Sequence, residues 1–231
     1  FKGIHILLAE DNSANRLVAV EILTQAGFEV DTAENGKKAV EAVAGFDYAL
    51  VLMDVQMPQM DGLEATRQIR QIKDKPHIPI IAMTANAMDG DKEQCLAAGM
   101  DDYISKPIER QCLIATLDRW VGGSKNLQSE TVVDVVDDIN VGVPSLPGIH
   151  IRESMERQGL SWLVFEKMLT AFPDGQKQTL LDLESAVLQG DLETIRLHAH
   201  SLVGAAGTIG ALDLLSSARE VEIAAKEGRK D

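Results

Sequence analysis

The sequence predicts a doubly wound, five-stranded parallel α/β sheet over residues 1–121, followed by an all-α helical bundle over residues 148–231. Three observations carry this. The apolar runs at 4–9, 48–53 and 78–83 are short and nearly continuous, as strands covered on both faces must be. Weaker strands at 29–33 and 103–105 alternate with helical stretches near 14–26, 37–43, 63–70, 92–98 and 110–120, so five strand–helix units follow in series. Beyond residue 148 no strand pattern remains.

Gly27, Gly45 and Gly99 follow helical stretches and read as C-terminal caps. Residues 122–147 are rich in Gly, Ser, Pro and Asp, with the acidic run Asp134, Asp137 and Asp138. They read as a linker with a flexible span on the order of 25–30 Å. The helices of the second unit are expected near 152–158, 162–172, 176–189, 192–206 and 211–227. Gly190 followed by Asp191 reads as a helix stop and then an N-cap. Short loops between antiparallel helices make a bundle. The chain starts at Phe1 and stops at Asp231, so a fragment of a longer protein is expected, with a bundle cut short at its C-terminus.

Composition excludes several classes of function. Of 231 residues, 45% are hydrophobic but only 4% aromatic, so the core is mainly aliphatic. Acidic residues outnumber basic ones 36 to 22, for a net charge of -14. Such a chain repels nucleic acid and anionic membranes, and neither is expected as a partner. No apolar run approaches the roughly 20 residues needed to span a bilayer. The two cysteines, Cys95 and Cys112, have no metal-type spacing. A reducing, cytoplasmic setting is expected, with any membrane anchor lying elsewhere in a parent protein.

Ligands of a doubly wound sheet bind at the carboxyl ends of its strands. The first strand ends in Glu10 and Asp11, the third in Asp54, the fourth in Thr84, and the fifth in Ser105 and Lys106. Three converging carboxylates repel one another unless a divalent cation sits between them, and hard oxygen ligands suit Mg²⁺. A lysine and a hydroxyl opposite that cation complete a site for a phosphoryl group, with Asp54 as candidate nucleophile. Taken singly, each acid has a plainer reading: Asp11 could simply cap the helix that follows it.

These strand ends lie in stretches with a specific resemblance. Leu8-Ala9-Glu10-Asp11-Asn12, the run from Met53 through Asp54 to Asp61-Gly62, Met83-Thr84-Ala85 and Ser105-Lys106-Pro107 resemble the receiver domain of two-component response regulators and hybrid sensor kinases, a flavodoxin-like fold. The resemblance implies that Asp54 is the phosphoacceptor. It implies metal ligation by Glu10, Asp11, Asp54 and the backbone carbonyl of Gln56. It also implies phosphoryl contacts from Thr84 and Lys106, a small Ala85 that leaves the site open, an aromatic switch at Tyr103, and a cis Lys106–Pro107 bond.

Among the five histidines, His5, His77 and His150 look incidental, and His198 points away from the candidate face. On a helical wheel centred on Ala199, the residues Leu192, Ile195, Leu202, Val203 and Ala206 form a buried stripe. His200 lies about 100° off that stripe, flanked by Gly204 and Gly207. Each helix glycine costs about 1 kcal/mol relative to Ala. Two beside one histidine therefore serve either close helix packing or close approach of another protein to a partly exposed imidazole. The run from Ala199-His200 to Gly210-Ala211 resembles the signature of histidine phosphotransfer (HPt) domains, which implies a phosphoryl group on His200. The family usually places a lysine three residues after the histidine, where this chain has Val203; Arg196 lies at a similar angle and is the expected substitute.

Together the two resemblances imply a phosphorelay module. A kinase phosphohistidine upstream supplies Asp54, and His200 passes the group to or from an aspartate, with a separate regulator's receiver downstream. The parent expected is a hybrid histidine kinase, although this chain carries no glycine-rich ATP loop with a following lysine. A free-standing regulator with an HPt domain is the alternative, as is a non-phosphorylated scaffold with a degenerate HPt. A phosphohydrolase of the haloacid-dehalogenase type fits poorly, because its first strand carries two aspartates two residues apart, and here that strand ends Glu10-Asp11-Asn12.

Overall fold

The protein was analysed as a computed structural model, which describes residues 1–73, 77–84, 89–122 and 143–229. The first half is the predicted alternation: β1 His5–Ala9, α1 Ser13–Gln25, β2 Glu29–Ala33, α2 Gly36–Gly45, β3 Leu50–Asp54, α3 Gly62–Arg70, β4 Ile80–Thr84, α4 Asp89–Ala98, β5 Asp102–Ser105 and α5 Arg110–Val121. The five strands form one parallel sheet in the order β2-β1-β3-β4-β5. The order reverses between β1 and β3, so the crevice at their carboxyl ends is the topological switch point.

Strand alternation builds two apolar layers. Ile6, Leu8, Leu50, Leu52, Ile81 and Met83 face one way, against α1 and α5. Leu7, Ala9, Val51, Met53, Ile80 and Ala82 face the other, against α2 to α4. β3 and β4 begin two residues later than the apolar runs suggest, and each ends one residue later, at Asp54 and Thr84. The ladder continues through these polar residues because Asp54 pairs with Met83 and Thr84 with Ser105.

The second half contains α6 Ile151–Gln158, α7 Trp162–Gln189, α8 Leu192–Ile209 and α9 Leu212–Lys226. Where two helices were expected on either side of residues 173–175, there is a single helix running through Pro173. An internal proline costs about 3 kcal/mol when a helix stands alone. Here α7 is held from outside, since it packs on α1 and α8 and buries Phe165, Met168 and Gln176. Gly27 and Gly99 have the left-handed φ of a cap, whereas Gly45 does not: it is the last residue of α2, and Phe46 leaves in extended conformation. Gly190 and Asp191 stop α7 and cap α8 as expected, with Asp191 accepting from the Thr194 N–H. Most of the expected linker, residues 123–142, lies outside the described residues.

The helical half rests on the α1 and α5 side of the sheet. Ile151, Met155, Leu160, Phe165, Met168, Ala206 and Ile209 join the same apolar cluster as Ile22, Leu113 and Leu117. Among the described residues, no helix is long and apolar enough to cross a membrane.

Candidate functional site

The acidic cluster assembles because two neighbouring strands, β1 and β3, end at the same sheet edge. Glu10 and Asp11 follow β1, Asp54 ends β3, and one oxygen of each lies within 4.8 Å of the others. Asp11 is free for this role because a neighbour caps the helix: Asn12 Oδ1 accepts from the Ala14 and Asn15 amides at 3.0 and 3.2 Å. Gly62 lets the loop after β3 fold back on itself, since a Cβ there would stand 2.1 Å from the Asp54 carbonyl oxygen.

Lys106 is the counterion. Its Nζ donates to Asp54 Oδ2 at 2.6 Å and lies 2.7 Å from Glu10 Oε2. The Glu10 contact is a close, buried ion pair that helps hold the Lys106 ammonium charged. Asp54 Oδ1 accepts from the Gln56 amide at 3.2 Å. Burial raises the Asp54 pKa, and Glu10 and Asp11 add to it against the opposing pull of Lys106. Burial, then Glu10, pushes Asp11 from 3.8 to about 6. Burial works against the Lys106 ammonium, but Asp54 and Glu10 outweigh it and its pKa is raised. One cation thus faces three carboxylates. The shortfall in positive charge is what a bound divalent cation corrects, so the donor set fits a hard metal.

The other expected residues fall around this cluster. Thr84 is buried at the end of β4, and its carbonyl accepts from the Lys106 amide at 2.7 Å. The Lys106–Pro107 bond is cis. Tyr103 is half-buried on β5 with Lys92 Nζ 5.1 Å from its ring centre. Ala85 lies outside the described residues.

His200 joins the same cleft from the helical half. Glu10, Asp11, Asn12, Asn15, Asp54, Gln56, Lys106, His200, Ser201 and Gly204 line a single recess. His200 is therefore not the partly exposed residue that the helical wheel suggests but only 7% exposed, covered by the first half of the chain. Two features that sequence reasoning missed bring it there. Thr208 Oγ1 donates to Asn15 Oδ1 at 2.6 Å, and Asn15 Nδ2 donates in turn to Glu10 Oε1 at 3.0 Å. A hydrogen-bonded path thus runs from α8 to the acidic cluster. The second is Glu222 on α9, whose Oε1 lies 2.7 Å from His200 Nδ1. Both pairs join residues far apart in the chain, so no local spacing announces them.

The glycines beside His200 serve two close approaches: Gly204 lets the halves meet, and Gly207 lets α8 pack on α9. A Cβ on Gly204 would stand 3.0 Å from Asn15 Nδ2, and one on Gly207 would stand 3.1 Å from Leu215 and 3.9 Å from Pro107. Arg196 Nη1 crosses the boundary to donate to Gln56 Oε1 at 2.9 Å. Val203, at the position where the family usually has a lysine, is buried in the bundle with Leu202, Ala218 and Leu183, as its place in the wheel's apolar stripe predicts. It lies in the apolar stripe of α8, where a charged side chain would lose its hydration.

Comparison with known proteins finds two families along the chain. The family model for the response regulator receiver domain matches residues 6–118, and that for the Hpt domain matches residues 167–231. The signal transduction histidine-protein kinase BarA of Escherichia coli (strain K12) is 30% identical over 98% of this chain and 24% of its own length. Hybrid signal transduction histidine kinase I of Dictyostelium discoideum is 40% identical over 58% of this chain and 8% of its own length. The chain thus spans a quarter or less of these two relatives. The receiver domain of sensor histidine kinase PA1611 from Pseudomonas aeruginosa PAO1, solved with magnesium in its active site cleft, is 44% identical, covers 52% of this chain and 98% of its own, and superposes with a TM-score of 0.49. The chain belongs to the response regulator receiver family through its first half and to the Hpt family through its helical half.

Proposed function

We propose that the chain is a two-step phosphorelay module in which Asp54 receives a phosphoryl group and His200 takes it over within the same chain. Residues 1–121 act as receiver, 122–147 as connector and 148–231 as phosphotransfer bundle. The observation that carries this reading is that Asp54 and His200 line one recess together with the acidic cluster and Lys106.

In the first step an Asp54 carboxylate oxygen attacks the phosphorus of a kinase phosphohistidine. The P–N bond breaks, its electron pair stays on the donor imidazole, and an acyl phosphate forms. Glu10, Asp11, Asp54 and the Gln56 carbonyl would hold Mg²⁺, which when bound offsets carboxylate repulsion and charge on the phosphoryl oxygens. Lys106, already against Asp54, follows the transferred group. Thr84, at the end of the neighbouring strand, offers its hydroxyl. In the second step a His200 ring nitrogen attacks the same phosphorus and the Asp54 carboxylate is regenerated. The parent is read as a hybrid histidine kinase acting in the cytoplasm, with its own kinase domain upstream and a separate receiver downstream.

The test is labelling from a small-molecule phosphodonor with Mg²⁺ in wild type, Asp54→Ala and His200→Ala. Acid-labile, base-stable label marks phosphohistidine, and the converse marks acyl phosphate. Both labels in wild type, none in Asp54→Ala and only acyl phosphate in His200→Ala are expected. Absence of a His200 label after mixing the two variants at dilute concentration supports transfer within one chain. Efficient transfer in that mixture would refute it.

A further inference from the structure

The loop that carries the Gln56 carbonyl is bent sharply at its tip. Gln59 has a φ of 68°, and the Met60 amide donates to the Pro58 carbonyl across it at 2.8 Å. This is a γ-turn of positive φ, which is rare and strained for a residue with a side chain. Left to itself, Gln59 would return to negative φ and the turn would open. The base of the loop is closed separately, by the Gly62 amide donating to the Val55 carbonyl at 2.9 Å.

The start of α2 holds the tip. The Gly36 amide donates to the Met60 carbonyl at 3.1 Å. That approach requires glycine, because a Cβ would stand 2.6 Å from the Met60 carbonyl oxygen and 2.9 Å from that of Asp61. Beside it, the buried Asn35 divides the two ends of its amide. Oδ1 caps α2 by accepting from the Lys38 amide at 2.9 Å, and Nδ2 donates to Gln59 Oε1 at 3.3 Å.

We propose that Asn35 and Gly36 are positioning residues for the metal: they clasp the strained turn at Gln59 and so aim the Gln56 carbonyl. The inference rests on the metal-ligand reading above. The Gln56 amide donates to Asp54 Oδ1 at 3.2 Å, so one short segment orients both a ligand carbonyl and a ligand carboxylate. Released at its tip, that segment would swing about the closed base and misdirect the two together. Arg196 restrains only the Gln56 side chain, from the helical half, and leaves the main chain to the clasp.

The experiment titrates Mg²⁺ into the unphosphorylated full chain. Calorimetry gives the affinity, NMR follows the Gln56 and Gln59 amides, and urea midpoints are recorded without metal. Asn35→Ser keeps a capping oxygen but loses the donor to Gln59. Its urea midpoint should stay close to wild type, while Mg²⁺ binds about three- to ten-fold more weakly, the range for one lost hydrogen bond. Gly36→Ala should weaken Mg²⁺ further, although alanine is the better helix former and favours α2 itself. Adding Gln59→Gly to Asn35→Ser should return most of the lost affinity, since glycine adopts positive φ without steric cost. If the clasp merely stabilised the fold, the added glycine would recover nothing. Wild-type affinity in both Asn35→Ser and Gly36→Ala, or no recovery in the double variant, would overturn the proposal. A wild type whose Gln56 amide is unmoved by excess Mg²⁺ would instead overturn the metal-ligand reading.

Discussion

The two phosphoacceptor candidates sit in one recess but are built differently. Asp54 is surrounded by charge: two further carboxylates, a buried lysine and the ends of three strands. His200 stands on a single helix with one carboxylate behind it and glycine beside it. The first arrangement is expensive to assemble, because burying like charges costs several kcal/mol unless cations answer them. The second needs only an accessible lone pair. The difference teaches that the receiver half holds the machinery that stabilises a phosphoryl group in transit, while the helical half presents a nucleophile to it.

The strongest test of this asymmetry is Lys106→Met. Removing the cation leaves Glu10 and Asp54 buried without a counterion, and about 3–5 kcal/mol of stability should be lost in metal-free solution. Mg²⁺ should restore part of that loss. Equal denaturant midpoints for the variant and wild type, without metal, would show that the cluster is not the strained element of the fold. No comparable cost is expected from His200→Gln.

The pH dependence should separate the halves next. The folded, metal-free chain keeps Asp11 protonated up to about 6, against 3.8 for a free side chain, so between those values the folded state binds more protons than the unfolded one. Stability must then fall as pH rises through that window, and the raised pKa of Asp54 acts in the same direction. Thermal melting across pH, with and without Mg²⁺, should show the metal raising the melting temperature more above the window than below it. A metal-induced gain independent of pH would contradict the assignment.

A smaller effect is expected at the boundary between the halves. Thr208→Val removes the donor to Asn15 and leaves a buried amide oxygen unpaired, at about 1–3 kcal/mol. This should weaken docking of the helical half and slow phosphoryl transfer to His200, with labelling of Asp54 unaffected. The smallest effect should come from Arg196→Ala, which loses a half-exposed hydrogen bond to Gln56 worth about 1 kcal/mol. Transfer rates should drop by a few-fold, and an unchanged rate would show that Arg196 does not stand in for the missing lysine.

Much of the fold was legible because its signals are local. Continuous apolar runs named the three central strands, and the Gly190-Asp191 pair named a helix boundary. The long α7 was not legible, because Pro173 and Gly175 argue locally for a break that packing against α1 overrides. The acidic cluster was legible because a parallel sheet sends every strand end to the same edge, so Glu10, Asp11, Asp54, Thr84 and Lys106 could be grouped from topology alone.

By itself, the sequence determined the sheet, its order of elements and the carboxylates that converge on the switch point, since these follow from periodicity and chain direction. Only the tertiary structure decided that His200 faces that cluster, that Glu222 takes its Nδ1, and that Asn15 joins Thr208 to Glu10. The physical reason is the range of the interactions. Periodicity is written within a few residues, whereas the docking of two halves depends on pairs separated by as many as 193 positions, whose partners no local pattern identifies.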